Sequence, residues 1–162
     1  KEMEGKQIIG VWENLQRQKT GHQYYTFSSP ESTTAINHYL LTREHLNSLD
    51  LPLFDISGKR LSDLFKNTND MLGLGKNGEF SRFATHMLRR YHSTQLAEAG
   101  MEEGKIDMLQ GRKPRSVLYQ SYLKIKSSVL KQEYIKCLPY LVIEDINKFK
   151  TELDIVKEEN KK

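Results

Sequence analysis

Strand-like sequence is confined to one place in this chain, and that confinement limits the fold more than any other feature. Residues 7–15 (QIIGVWENL) and 22–28 (HQYYTFS) are rich in β-branched and aromatic side chains, and Gln16-Arg17-Gln18-Lys19-Thr20-Gly21 lies between them. A glycine among polar residues between two such runs predicts an antiparallel hairpin. The remainder of the 162 residues repeats its apolar positions at helical intervals. The expected fold is therefore mainly α with a small antiparallel β-hairpin or sheet.

Ser29-Pro30-Glu31 suits a helix start, because proline fits the first turn and an acid there complements the helix dipole. A helix is expected over about 31–48, with Ala35, Ile36, Tyr39, Leu40 and Leu46 in register. Residues 50–58 form a connection, and a helix over about 60–73 runs into the glycine-containing stretch 73–78. Ser81 is placed to cap a helix over about 82–99, with an apolar stripe of Phe83, Met87, Leu88, Tyr91 and Leu96. Shorter helices are expected over about 102–110, 114–125 and 127–137, the last stopping near Pro139. The segment 144–162 spaces Ile146, Phe149, Leu153 and Val156 by three, four and three, which makes an amphipathic tail. The division expected is 1–143 as one folded body and 144–162 as that tail. The tail either packs on its own chain or is donated to a partner.

Composition narrows the function classes. No apolar run is long enough to span a bilayer, so a cytoplasmic protein with no membrane partner is expected. The opening Lys-Glu-Met-Glu-Gly is not a signal segment and reads as a cut inside a longer protein. A single cysteine, Cys137, cannot form an internal disulfide, which points to a reducing compartment. The five histidines show no ligand-like grouping with thiols or carboxylates, so no metal site is expected. The net charge of +4 is modest, but residues 105–136 carry eight basic side chains against two acidic ones. Such a patch can track phosphates, and a solvated helix face explains the charge equally well.

Four local features bear on chemistry. His86 and Arg89 are three apart, hence on one helix face. A guanidinium can hold two phosphate oxygens while an imidazole exchanges a proton near neutral pH. Leu109-Gln110-Gly111-Arg112-Lys113-Pro114-Arg115-Ser116 ends one helix and opens the next with a basic turn, where free backbone N–H groups suit an anion. Tyr119 and Tyr122 lie one turn apart on the following segment. A phenol, with pKa about 10, becomes a nucleophile only beside cations that stabilise its ionised form. Lys19 stands at the expected hairpin tip. Each feature alone has an ordinary explanation as polar surface, helix turn or core.

Taken in order, they resemble the tyrosine recombinase family, and its archaeal integrase-like subgroup in particular. The resemblance rests on Lys19 in a hairpin, His86-x-x-Arg89 on a helix, the Leu109-x-Gly111 turn, and Tyr122 some ten residues on. Arg17–Gly21 followed by Thr26–Glu31, Ile106–Leu118, and Leu130–Tyr140 are similar to that subgroup as well. The similarity covers about residues 7–143. It implies the recombinase catalytic-domain fold without its N-terminal part, acting on double-stranded DNA as a homo-tetramer, with no cofactor. It implies Tyr122 as nucleophile, Arg89 and Arg112 on the scissile phosphate, His86 in proton transfer or phosphate binding, and Lys19 as general acid. Arg17, Arg90, Lys113, Arg115 and Ser116 are implied as further DNA contacts.

Two departures stand out. Arg112 occupies the place where many members have histidine, and the family's first catalytic arginine belongs upstream of the hairpin. Residues 1–162 alone are thus expected to cleave weakly or not at all. A DNA-binding module without chemistry is one alternative, and a type IB topoisomerase-like enzyme that only relaxes DNA is another.

Overall fold

The computed structural model describes residues 9–42, 52–113 and 126–143. The chain divides into two compact units, residues 1–42 with 95–162, and residues 43–94. Among the described residues helices dominate, with two small antiparallel sheets.

In the first unit, β1 (Gly10–Gln16) pairs with β2 (Gln23–Ser28), as the two apolar runs require. The register slips between Trp12 and Leu15, where Asn14 has φ 56°. Asparagine is among the few side chains that accept that left-handed geometry, so it absorbs the bulge. The loop is closed by Arg17: its N–H donates to the His22 carbonyl at 2.9 Å, and its carbonyl accepts from Thr20 and Gly21. Ser29 then opens α1 (Pro30–Thr42), its hydroxyl accepting the Ser32 N–H at 3.2 Å. Gly10 lies against this start. Its N–H donates to Thr33 Oγ1 at 3.0 Å, and an added Cβ would collide with Ser28 Oγ.

The core of this unit gathers Phe27, Leu96, Met101, Ile106, Leu109, Leu130, Tyr134, Cys137 and Leu138. It joins β2 to α4 (Glu103–Leu109) and α5 (Ser127–Leu141), with Phe27 and Tyr134 ring centroids 5.4 Å apart. Lys105 of α4 bridges to Glu133 of α5 at 2.8 Å, and that hydrogen bond, with the nearby Glu133 and Glu102 charges, raises the lysine pKa. The last helix does not stop at Pro139 but runs two residues past it. Proline there removes one bond from the final turn, its ring is buried, and the Val142 N–H still reaches the Leu138 carbonyl at 3.1 Å.

In the second unit, Ser57 caps α2 (Gly58–Met71) through the Arg60 N–H at 3.2 Å, and Gly73 at φ 62° ends it. The glycine stretch beyond is not plain loop. Lys76–Asn77 (β3) and Phe80–Ser81 (β4) pair across a turn at Gly78. Ser81 is thus a strand residue and not a cap, and α3 (Thr85–Glu98) starts three residues later than the spacing suggests. Asn69, 1% exposed, is the cause: its Oδ1 accepts the Phe83 N–H at 2.9 Å, and its Nδ2 donates to the Gly75 carbonyl at 3.1 Å. Residues 82–84 are thereby kept out of the helix, and Phe83 stacks on Phe65 at 4.9 Å. Of the expected α3 stripe, Met87, Leu88 and Tyr91 remain exposed, while Leu96 is buried in the first unit's core.

The expected helix over 114–125, residues 43–51 and the tail over 144–162 lie outside the described residues.

Candidate functional site

In the first unit the hairpin loop and the 109–113 turn come together. Helix α4 ends in a paired closure: the Gly111 N–H donates to the Met108 carbonyl at 3.1 Å and the Arg112 N–H to the Asp107 carbonyl at 2.8 Å. This Schellman pattern needs a left-handed residue at its centre, commonly glycine, and Gly111 has φ 62°. Gly111 also lies against Tyr24 of β2, so close that a Cβ would fall 2.7–2.9 Å from ring atoms. From the other side, the Arg17 guanidinium donates to the Gly111 carbonyl at 3.4 Å. Two residues on, Lys19 is exposed in the loop. Arg112 and Lys113 are exposed just past the glycine. The Arg112 side chain turns back toward the buried Asp107 carboxylate, at 3.7 Å. Three backbone-level ties, from Arg17, Tyr24 and the helix closure, thus fix where these cations emerge.

In the second unit, α3 carries His86 and Arg90 exposed and Arg89 half-buried. His86 and Arg89 share a face at three-residue spacing. His92 also matters here. Burial, and then the positive charge of Arg89, hold its pKa below the ordinary 6.5. The three-residue interval from Arg89 was the available signal in the sequence.

The depressed His92 pKa has a stability consequence. The unfolded chain takes up a proton near pH 6.5 and the folded chain resists it, so stability is complete above that value and falls as pH drops below it. Urea midpoints measured at about pH 7.5 and about pH 5 are expected to differ less in His92→Gln than in the parent. Equal pH dependence in both proteins would remove His92 as the cause.

The described tyrosines of the core are unsuited to attack. Burial, then the neighbouring Cys137, pushes the Tyr134 phenol far above its ordinary range, and burial raises Tyr25. Arg115, Ser116, Tyr119 and Tyr122 lie outside the described residues. Among the described residues, no helix is long and apolar enough to cross a membrane.

No curated protein and no solved structure matches the chain. A family model described as archaeal phage integrase matches residues 22–140, from the end of the hairpin loop through α5. It takes in His86, Arg89, Arg112 and Tyr122, while Arg17 and Lys19 precede it. On that match, the chain belongs to the archaeal phage integrase family, whose work is site-specific recombination and whose partner is DNA.

Proposed function

We propose that this chain cuts and rejoins DNA as part of a tyrosine recombinase catalytic domain, through a 3′-phosphotyrosyl link at Tyr122. The observation that carries the reading is the tie between the hairpin loop, which bears Arg17 and Lys19, and the Gly111 turn, which Arg112 and Lys113 follow. Cations at such a place bind phosphate oxygens and offset charge that grows as a phosphodiester becomes pentavalent. In the other unit, the His86–Arg89 face of α3 carries a guanidinium and an imidazole suited to a phosphate and its proton.

The chemistry balances without an external energy source. The Tyr122 phenol gives its proton to His86, and its oxygen forms a bond to phosphorus. The bond from phosphorus to the 5′-oxygen breaks, and Lys19 protonates that oxygen as it leaves. A 5′-hydroxyl from another strand reverses the step, freeing the tyrosine. Arg89 and Arg112 hold the non-bridging oxygens throughout. Arg17, Arg90, Lys113, Arg115 and Ser116 contact the flanking backbone. Pairing of two DNA sites calls for a homo-tetramer, and the 144–162 stripe offers a means of joining copies.

The test is a covalent trap. Full-length protein is incubated with nicked DNA carrying its attachment site and stopped with SDS. A retarded band that protease removes is expected. Its absence, with DNA binding intact, would favour a protein that occupies sites without cutting them. Relaxation of plasmids lacking paired sites would favour topoisomerase-like action.

A further inference from the structure

We infer that Asp107 is a positioning residue for Arg112, fixing the direction in which that guanidinium meets a phosphate; the inference rests on the reading of Arg112 given above. Asp107 is 6% exposed. A carboxylate so placed costs stability unless a cation or several donors compensate it. It also sits in the last turn of α4, at the negative end of the helix dipole, where an acid is disfavoured. An acid in such a place calls for a compensating partner.

The geometry supplies one. Asp107 holds Arg112 at both ends. Its carbonyl takes the Arg112 N–H at 2.8 Å, and its carboxylate faces the Arg112 guanidinium at 3.7 Å. That separation is longer than the roughly 2.7–2.9 Å of a full charge-assisted hydrogen bond. The carboxylate therefore orients the guanidinium without consuming its donors. A guanidinium has five N–H groups in a planar fork, and the Arg112 side chain is 44% exposed. One edge is drawn to Asp107, and the other stays open to phosphate. The glycine just before Arg112 also accepts the Arg17 hydrogen bond and lies against the Tyr24 ring.

The experiment compares four full-length proteins: parent, Asp107→Asn, Arg112→Ala and the double variant. DNA affinity is read by fluorescence anisotropy and cleavage by single-turnover kinetics on nicked attachment-site DNA. Asp107→Asn is expected to slow cleavage about tenfold to a hundredfold, the usual scale for a misdirected contact. Its DNA affinity stays equal or tightens, because a negative charge has been removed near phosphates. The double variant is expected to cleave as slowly as Arg112→Ala and no slower. Asp107→Glu, which keeps the charge, recovers part of the rate.

An Asp107→Asn protein as fast as the parent overturns the inference, as does an undiminished Asn effect in the Arg112→Ala background. Arg112→Ala behaving like the parent in both assays instead overturns the reading of Arg112 itself. Should Asp107→Asn not fold, the parent's Arg112 Nε–Hε resonance decides. Restricted motion of that N–H vector in nitrogen relaxation, relative to exposed Arg90, supports positioning, and equal mobility overturns it.

Discussion

Replacing Tyr122 with phenylalanine is expected to abolish the covalent protein–DNA adduct, while Tyr119→Phe retains it. The substitution removes one oxygen and leaves ring, volume and helix propensity nearly unchanged, so folding and DNA affinity should persist. Loss of the nucleophile, by contrast, leaves no route to a phosphotyrosyl link. The residual signal should fall by at least about three orders of magnitude, the scale seen when a covalent nucleophile is deleted. Tyr119 is the necessary control because it stands three residues earlier in the sequence, the interval that would put both phenols on one face if the segment is helical, as the sequence suggests. An adduct that survives Tyr122→Phe and disappears in Tyr119→Phe would keep the reaction and move its site. An adduct surviving both would require a different nucleophile, and Tyr134 is a poor substitute, since burial holds its phenol in the neutral form.

The parts of this molecule legible from sequence are those decided by local periodicity. The hairpin at 10–28, α2 and α4 follow from strand-forming runs, apolar residues at helical spacing and a closing glycine. What was not legible depends on a side chain acting at a distance. Asn69 reads as one more polar residue in a helix, yet its bonds to Phe83 and Gly75 set where α3 begins and place Ser81 in a strand. Pro139 reads as a stop, but burial of its ring in a packed helix overrides the local preference. The candidate site divides in the same way. His86, Arg89, Lys19 and Arg112 could be singled out by spacing and by resemblance. That Arg17 reaches across 94 residues to the Gly111 carbonyl, and that Asp107 faces Arg112, could not. Such contacts are products of packing, and no interval along the chain encodes them.

Gly111→Ala brings these long-range ties to a measurable point. Alanine at φ 62° incurs left-handed strain of about 1–2 kcal/mol. Its Cβ must also displace the Tyr24 ring, which overpacking data put at about 1–3 kcal/mol. The expected loss is therefore about 2–5 kcal/mol, a large fraction of the roughly 5–15 kcal/mol that holds a domain together. Chemical denaturation reads the total, and the Tyr24→Ala background separates the two parts. With the ring gone, the cost of Gly111→Ala should shrink to the strain alone, about 1–2 kcal/mol. A cost that is the same in both backgrounds would mean the ring yields freely. A total below about 1 kcal/mol would mean the turn relaxes to another conformation. Function follows the same geometry. Arg112 is the residue after this glycine, and its N–H closes the helix end. A turn pushed off Tyr24 carries the guanidinium with it, so DNA cleavage is expected to fall even at temperatures where Gly111→Ala remains folded.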